Sequence, residues 1–254
     1  MADVPAVAAA VKVLERIADA WPQAVSSGVL IKELGLNRST CYNILGTLER
    51  AGWATTTGAR SGWSLGPRLL GLTGVPAEAV AAIVQRELDE LSAQLGFVLF
   101  VVQQTGNGEY SVIAKAERGQ GVRVTVSVGD TFPFSAPAIM QAFHAWTDRD
   151  EFARLAEQHG IDRFTRRTKT SLDQVARQLT RARQRGYGTS IQEYDLAQSG
   201  VAAPIFDPRG EVAHVLCSLA FSSELDDTNV DQTATLVRDC AARITNQTGG
   251  HPPQ

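Results

Sequence analysis

The most constraining stretch of the sequence is residues 35–53, GLNRSTCYNILGTLERAGW, which predicts a short turn followed by one helix. Asn37 stands where an N-cap belongs, because its side-chain oxygen can accept a hydrogen bond from the first free backbone N–H groups. Gly52 stands where a left-handed residue ends a helix. Helical spacing places four apolar residues on one face, which predicts a core-facing side: Cys41, Ile44, Leu45 and Leu48.

The opposite face of this helix lacks the Lys and Glu residues of an ordinary solvent face. It carries Ser39, Asn43, Gly46 and Arg50, flanked by Thr40, Tyr42 and Thr47. Hydroxyls and backbone N–H groups suit phosphate oxygens, whereas Asn and Arg can bond to adenine and guanine edges in a major groove. The composition favours a DNA-reading face, and a polar helix weakened by Gly46 is the alternative.

The flanking segments support DNA reading. Residues 26–34 predict a short helix and Gly35 a turn, so the pattern is a helix-turn-helix with a reading second helix. Two β-prone runs, 53–57 and 63–65, then enclose a glycine-flanked tip and predict a hairpin wing. Arg60 at that tip is expected to contact a sugar–phosphate backbone. The predicted DNA-contacting set is Asn37, Arg38, Ser39, Thr40, Tyr42, Asn43, Thr47, Arg50 and Arg60.

Several motifs follow one another in a fixed order along the chain. In the first part these are Leu36-Asn-Arg-Ser-Thr, Leu45-Gly-Thr-Leu-Glu-Arg-Ala-Gly-Trp and Trp63-Ser-Leu-Gly-Pro-Arg-Leu-Leu; later come 128–133, Arg185-Gly-Tyr, Gln192-Glu and 201–207. Together these motifs resemble the IclR family of transcriptional regulators. Asn43 replaces the commoner Arg and Trp63 the commoner Tyr; the first departure concerns the operator sequence, not the class. The resemblance covers nearly the whole chain and implies a GAF-like C-terminal domain that binds a small molecule.

Composition limits the class of protein. The chain has 254 residues, of which 44% are hydrophobic and 20% charged, so it can form one large or two small domains. The net charge of −3 excludes a globally basic nucleic-acid coat protein, although residues 1–75, with seven Lys/Arg and five Asp/Glu, carry +2. No run of eighteen apolar residues and no signal peptide is seen, so we expect no membrane contact and a cytoplasmic location.

The predicted domain organisation has four parts. Residues 1–73 form the winged helix-turn-helix domain, 74–95 a linker helix, 96–247 the effector-binding GAF-like domain and 248–254 a flexible tail. The first helix, 4–20, is expected to turn Val7, Val11, Leu14 and Ala18 inward. The apolar stripe of the linker helix must be covered by its own C-terminal domain or by a partner chain, and the resemblance implies a role in dimerisation.

The fold class is predicted to be α+β, with a mostly antiparallel sheet flanked by helices in the second domain. Strands are expected at 97–102, 110–115, 122–128, 201–207 and 211–221, and helices from Pro137, Asp148, Ser171 and Asp227. The helix after Ser171 should bury Leu172, Val175, Ala176 and Leu179. A row of arginines in or near it indicates a solvated face or, less readily, a second nucleic-acid patch: Arg166, Arg167, Arg177, Arg181, Arg183 and Arg185.

Catalytic chemistry finds little support. None of the four histidines belongs to a metal-binding or nucleophile motif, and the three cysteines, Cys41, Cys217 and Cys240, have neither metal nor disulfide spacing. His214 and Cys217 lie three apart on a predicted strand, so alternation points them to opposite faces. We therefore predict no catalytic residue, no metal and no cofactor; an enzyme with an accessory helical domain is the alternative.

The resemblance also indicates the kind of ligand. Family members that sense small polar acids use a polar set at positions matched here by Ser190, Gly200, Cys217 and Leu219, and every one of these departs from that set. The predicted pocket has an apolar wall of Met140, Leu219, Phe134 and Trp146, with Ser190 and Ser135 as polar groups. We predict a ligand-responsive repressor of a catabolic operon that binds double-stranded operator DNA as a homodimer or dimer of dimers. Its effector is expected to be aromatic or an apolar acid; a constitutive DNA binder with a vestigial pocket is the alternative.

Overall fold

The structure is a computed structural model that describes residues 4–20, 23–56, 62–69, 77–117 and 124–253. The chain divides into two compact units, Met1–Ala77 and Glu78–Gln254. Each unit has a hydrophobic core of its own. The helix expected to link two domains, α4 (Ala77–Leu95), lies almost entirely within the second unit.

The first unit is a helix-turn-helix with a hairpin. Its elements are α1 (Pro5–Asp19), α2 (Ser27–Glu33), α3 (Arg38–Arg50), β1 (Ala54–Thr56) and β2 (Trp63–Leu65). Asn37 caps α3 by accepting a hydrogen bond from the Thr40 backbone N–H at 2.7 Å, and Gly52 follows the helix with φ +75°. β1 and β2 pair antiparallel with Thr55 opposite Ser64. The predicted winged helix-turn-helix is confirmed in these described residues.

The predicted inward face of α1 is wrong. Val13 and Ile17 are the buried residues of this helix, whereas Val7 and Val11 are 60% and 47% exposed and Ala18 is also exposed. Only Leu14 of the predicted set packs partly against the core. The Ala- and Val-rich sequence of α1 offers two apolar stripes, and the stripe that holds Val13 and Ile17 is the buried one.

The second unit contains a six-stranded antiparallel sheet in the order β5-β4-β3-β8-β7-β6. Its strands are β3 (Val98–Gln104), β4 (Tyr110–Ala116), β5 (Thr131–Phe132), β6 (Gly188–Ile191), β7 (Gln198–Phe206) and β8 (Val212–Phe221). The strand predicted at 122–128 is wrong for residues 124–127, which form no strand, and β5 pairs with β4 instead. Val124 and Val126 are nevertheless buried, so the alternation reflected burial rather than pairing. The short edge strand β6 was not predicted.

Helices cover both faces of this sheet. α4 and α8 (Val230–Gln247) pack on one face, whereas α5 (Pro137–His144) packs on the other and contacts α7 (Leu172–Arg185). α6 (Arg149–His159) joins α5 to α7. The apolar stripe of α4 is covered by its own domain through Leu88 and Leu91.

Two further predictions about this unit need correction. Leu172, expected inside, is 49% exposed at the start of α7, whereas Val175 and Leu179 are buried as predicted. Residues 248–253, expected to form a frayed tail, return to the sheet: the Gly250 N–H donates to the Thr245 carbonyl and the His251 N–H donates to that of Asp207.

A buried carboxylate joins α4 to α8. Glu87 is 4% exposed, and its oxygens accept hydrogen bonds from Arg243 Nε at 2.8 Å and Gln247 Nε2 at 2.8 Å. Burial alone would raise the pKa of Glu87, but the hydrogen bonds from Gln247 and Arg243 outweigh it, so the pKa lies below its ordinary value. Since the folded-state pKa is the lower one, this stabilisation is present above the unfolded-state pKa and is lost as pH falls through the folded-state pKa.

We therefore expect the unfolding free energy of the wild-type protein to fall more steeply with acid than that of Glu87→Gln. Urea titrations between about pH 6 and pH 3 measure this difference. Glu90→Gln, an exposed change on the same helix, is the control and should follow the wild type. Parallel slopes for the wild type and Glu87→Gln would contradict the assignment.

Candidate nucleic-acid interface and ligand cleft

The outer face of α3 carries the polar residues that the sequence singled out. Ser39, Tyr42, Asn43, Thr47 and Arg50 are exposed there, and Thr40 is half-buried. On the inner side, Cys41, Leu45 and Leu48 are buried in the core of the first unit and hold the helix in place. The local hydrogen bonds decide which of the outer side chains are free to bind a ligand.

Several side chains are already used inside the motif. The Asn37 oxygen accepts from the Thr40 N–H and, at 2.9 Å, from the Ser39 hydroxyl, so both side chains belong to the cap. The Tyr42 hydroxyl lies 3.1 Å from that of Ser27, a contact between α2 and α3 that the sequence analysis missed. Arg38 lies 5.9 Å from the centre of the Tyr42 ring.

Asn43 and Arg50 present the most available polar groups. Within the described part of the chain, the Asn43 amide forms no side-chain hydrogen bond, and its backbone carbonyl accepts from the Thr47 hydroxyl at 2.7 Å. Among the described residues, Arg50 makes one hydrogen bond of 3.3 Å, to the Thr47 hydroxyl, and a Cβ atom at Gly46 would lie 3.7 Å from the Arg50 guanidinium. Because Gly46 has no side chain, the helix surface is depressed between Asn43 and Arg50. Arg60 lies outside the described residues, so its position at the wing tip stays a prediction.

A cleft opens in the second unit where the start of α5 faces strands β6, β7 and β8. It contains about 420 Å³ of empty space including its mouth, but a water centre can reach only about 40 Å³ of it, so it is a narrow slot. Its walls are almost entirely apolar, and its lining includes no charged side chain. The lining residues are Phe100, Phe132, Ala136, Pro137, Ala138, Ile139, Ser190, Tyr194, Gln198, Ser199, Gly200, Val201, Cys217, Ser218 and Leu219.

Half of the predicted pocket residues meet in this cleft. Ser190, Gly200, Cys217 and Leu219 line it, and antiparallel register explains why: Gly200 pairs with both Ser190 and Leu219. A side chain at Gly200 would meet the Ser218 carbonyl oxygen at 2.7 Å, so this position needs glycine for the strands to approach.

The other four predicted pocket residues lie elsewhere, which corrects their expected position. Phe134 and Met140 are buried in a separate cluster with α6 and α7. The Ser135 hydroxyl donates to Asp162 at 3.0 Å and accepts from its backbone N–H at 3.2 Å. Trp146 contacts Phe206 edge-on, with 5.1 Å between ring centres. These contacts hold the second unit together and leave the four side chains outside the cleft.

Aromatic rings that the sequence analysis missed form one wall of the cleft. Phe132 stacks on Phe100 with ring centres 5.5 Å apart and meets Tyr194 edge-on at 5.9 Å. Phe132 therefore takes the place in the cleft wall that was predicted for Phe134. Pairing of Thr131–Phe132 with β4 would have indicated Phe132, but the strand was placed too early in the chain.

The start of α5 borders the cleft. Ala136 stands at the N-cap position and Pro137 at the first turn, so no side chain caps this helix. Uncapped N–H groups and the helix dipole make such an end attractive to anions. Ser190, Tyr194 and Gln198 add hydroxyl and amide groups whose side chains form no hydrogen bond with other described residues, so the cleft combines an apolar slot with a few neutral donors.

Nucleophilic chemistry has no support at this site. Burial raises the pKa of the Cys217 thiol well above its ordinary value and lowers the pKa of His214. Cys217 belongs to the core beneath α5, whereas strand alternation places His214 on the other face of β8. In the described ranges, no group of His, Cys, Asp and Glu is arranged to hold a metal ion, and no helix there is long and apolar enough to cross a membrane.

Comparison with known proteins accounts for both units. Residues 6–58 match the IclR helix-turn-helix domain, and residues 75–246 match the domain described as bacterial transcriptional regulator IclR C-terminal. The Escherichia coli regulator KdgR is 26% identical over 230 residues, which cover 87% of this chain and 85% of that protein. The Escherichia coli repressor AllR is 27% identical over 229 residues, covering 86% and 82%.

Solved structures have the same fold. An IclR transcriptional regulator from Alicyclobacillus acidocaldarius is 29% identical, with a TM-score of 0.63, and the match covers 98% of this chain and 100% of that one. Pseudomonas aeruginosa HmgR shares the fold at 23% identity with a TM-score of 0.69, again covering 98% and 100%. The matched domains span most of the sequence, and the chain therefore belongs to the IclR family of transcriptional regulators.

Proposed function

We propose that this chain is a ligand-responsive DNA-binding regulator that places α3 in the major groove of an operator. The observation that carries the proposal is the outer face of α3, where the free amide of Asn43 and the cation of Arg50 flank the low surface at Gly46. An asparagine amide can pair with adenine and a guanidinium with guanine. The Thr40 hydroxyl, one helical turn before Asn43, suits a phosphate oxygen.

We propose a flat, apolar acid as the effector class. The slot between Phe132, Leu219 and Cys217 suits an aromatic or planar body, because its walls are apolar and close together. The uncapped start of α5 would accept a carboxylate without a cationic side chain. This combination supports the effector class inferred from the sequence, with Phe132 and Tyr194 in place of Phe134 and Trp146.

Regulation requires the ligand to distinguish two states of the protein. A ligand changes DNA affinity only as far as it binds those two states differently. In a dimer, two copies of α3 would read a near-palindromic site, and the effector would favour one spacing of the pair. Repression is the mode we propose, because AllR and other relatives are named repressors.

Thermal unfolding with candidate effectors tests the ligand site. We expect at least one of benzoate, cinnamate and 2-naphthoate to raise the melting temperature, whereas pyruvate, a small polar acid, should not. A ligand at one hundred times its dissociation constant adds about 2.7 kcal/mol to the unfolding free energy. The same acid should move the protein's binding curve on genomic DNA fragments that it retains.

Filling the slot should abolish this response. Leu219→Trp places a large ring in the cleft, whereas Leu196→Trp changes an exposed leucine and serves as the control. We expect the ligand-induced shift to disappear in Leu219→Trp and to persist in Leu196→Trp, with DNA binding intact in both. If none of the acids raises the melting temperature of the wild type and the wild type still binds DNA, the slot is vestigial and the protein is a constitutive DNA binder.

A further inference from the structure

A second groove, separate from the cleft, lies between α7 and the edge strand β6. It contains about 820 Å³ of empty space including its mouth, of which about 300 Å³ is open to a water centre. This size falls in the range of small-molecule sites. Its lining is polar and cationic: Gln141, Lys169, Gln174, Arg177, Gln178, Arg181, Ala182, Arg185, Tyr187, Thr189 and Glu193.

Arginines of α7 give the groove an excess of positive charge. Arg177, Arg181 and Arg185 recur at every fourth residue, and in the described part of the chain none has a carboxylate within 4.0 Å. Elsewhere, by contrast, Arg243 pairs with Glu87 at 2.8 Å and Arg16 with Glu33 at 2.6 Å. The chain has more Asp and Glu residues (27) than Lys and Arg residues (24), so a shortage of carboxylates does not explain why these arginines lack ion-pair partners.

The one carboxylate in the lining is engaged with other groups. Both oxygens of Glu193 accept from Gln178 Nε2 at 3.1 Å, and the positive charge of Lys169 also interacts with this carboxylate. Arg177 and Arg181 therefore remain available for a ligand, whereas Arg185 also interacts with the Tyr187 hydroxyl. The polar floor is fixed as well, because the Gln141 amide donates to the Thr189 carbonyl at 2.9 Å and accepts from its N–H at 3.1 Å.

We propose that this groove binds a small polyanion that carries phosphate or at least two carboxylates. Guanidinium groups bind both anions through paired, charge-assisted hydrogen bonds. Residues four apart on a helix are separated by about 6 Å along its axis, so adjacent arginines can hold one anionic group each on a small molecule. The Thr189 hydroxyl, which lines the groove, offers a further polar contact.

The groove and the cleft share two walls. Thr189 faces the groove while its neighbour Ser190 lines the cleft, and Gln141 lies in the groove one helical turn beyond Ala138 of the cleft. A polyanion that holds α5 against β6 will change the shape of the slot on the other side of the same contact. The groove is thus a second ligand site in the second unit, and it does not depend on whether the cleft binds an aromatic acid.

Calorimetric titration of the full chain with pyrophosphate and with citrate, at fixed ionic strength, tests the site. We expect the wild type to bind at least one of them, and Arg177→Gln/Arg181→Gln to bind it at least about tenfold more weakly, as expected for lost hydrogen bonds between charged groups. Arg183→Gln is the matched control, since Arg183 is on the same helix but does not line the groove. Loss of polyanion binding in Arg177→Gln/Arg181→Gln, with the thermal response to the aromatic acid retained, would separate this site from the cleft.

Two results would overturn the proposal. Either the wild type binds neither probe, or the double variant binds as tightly as the wild type. In the first case, a loss of affinity for random double-stranded DNA in the double variant would identify the arginine row as a nucleic-acid contact instead. Melting temperatures without ligand check that each variant is folded.

Discussion

Replacing Leu45 by alanine should remove about 2–5 kcal/mol from the unfolding free energy of the first unit. Leu45 is fully buried at the centre of a small core that includes Val13, Ile17, Leu30 and Cys41. Truncation leaves a cavity, and a unit of this size has few other contacts with which to compensate. Because Leu45 belongs to α3, the DNA-reading face should be lost along with the fold of the unit.

Tryptophan fluorescence can report on this unit alone. Of the four tryptophans, only Trp146 belongs to the second unit, so a Trp146→Phe background leaves Trp21, Trp53 and Trp63 as reporters. Urea titrations of Leu45→Ala in this background should show a lower midpoint than those of the parent. Circular dichroism should still show a folded second unit.

Val7→Ala is the matched control for an apolar truncation. Val7 is 60% exposed on α1, so its removal should change the unfolding free energy by no more than about 0.5 kcal/mol. The pair also tests the corrected orientation of α1, because the sequence analysis had placed Val7 inside. If Val7→Ala lowers the unfolding free energy as much as Leu45→Ala does, the orientation of α1 predicted from the sequence is the correct one.

Elements defined by local chemistry could be predicted from sequence. The cap at Asn37 and the left-handed Gly52 each depend on a few adjacent residues, and both are present in the structure. The buried face of a helix was harder to predict where two faces of the helix are equally apolar. α1 has two such stripes, and only packing against α2 and α3 selects Val13 and Ile17.

The ligand cleft shows the same division. Ser190, Gly200, Cys217 and Leu219 came from motif resemblance, and strand register brings them together in space. Three residues were predicted to form the cleft wall because they are large and apolar: Phe134, Met140 and Trp146. They pack elsewhere in the second unit, since hydrophobicity alone does not determine which neighbours a buried side chain contacts. Phe132 could have been found only from the pairing of β5 with β4, and Tyr194 only from the path of the chain between β6 and β7.

Asn43→Ala should weaken binding to the specific operator about 5- to 150-fold, the equivalent of about 1–3 kcal/mol for a good base contact. The Asn43 amide has no protein partner among the described residues, so its removal costs the fold little and the loss is one of recognition. Arg50→Ala should cost a similar amount, because its guanidinium is held only by one long bond to Thr47.

The nature of the loss separates base reading from a general polar surface. Fluorescence anisotropy, measured at one salt concentration, should show that Asn43→Ala binds the genomic fragments retained by the wild type more weakly than the wild type does. Its affinity for random duplex DNA should stay near the wild-type value, so the ratio of specific to non-specific affinity falls. Glu15→Ala, an exposed change on α1, should alter neither affinity. If Asn43→Ala and Arg50→Ala both bind operator and random DNA as the wild type does, then α3 does not lie against base edges, and the contact with DNA must be sought on another surface of the first unit.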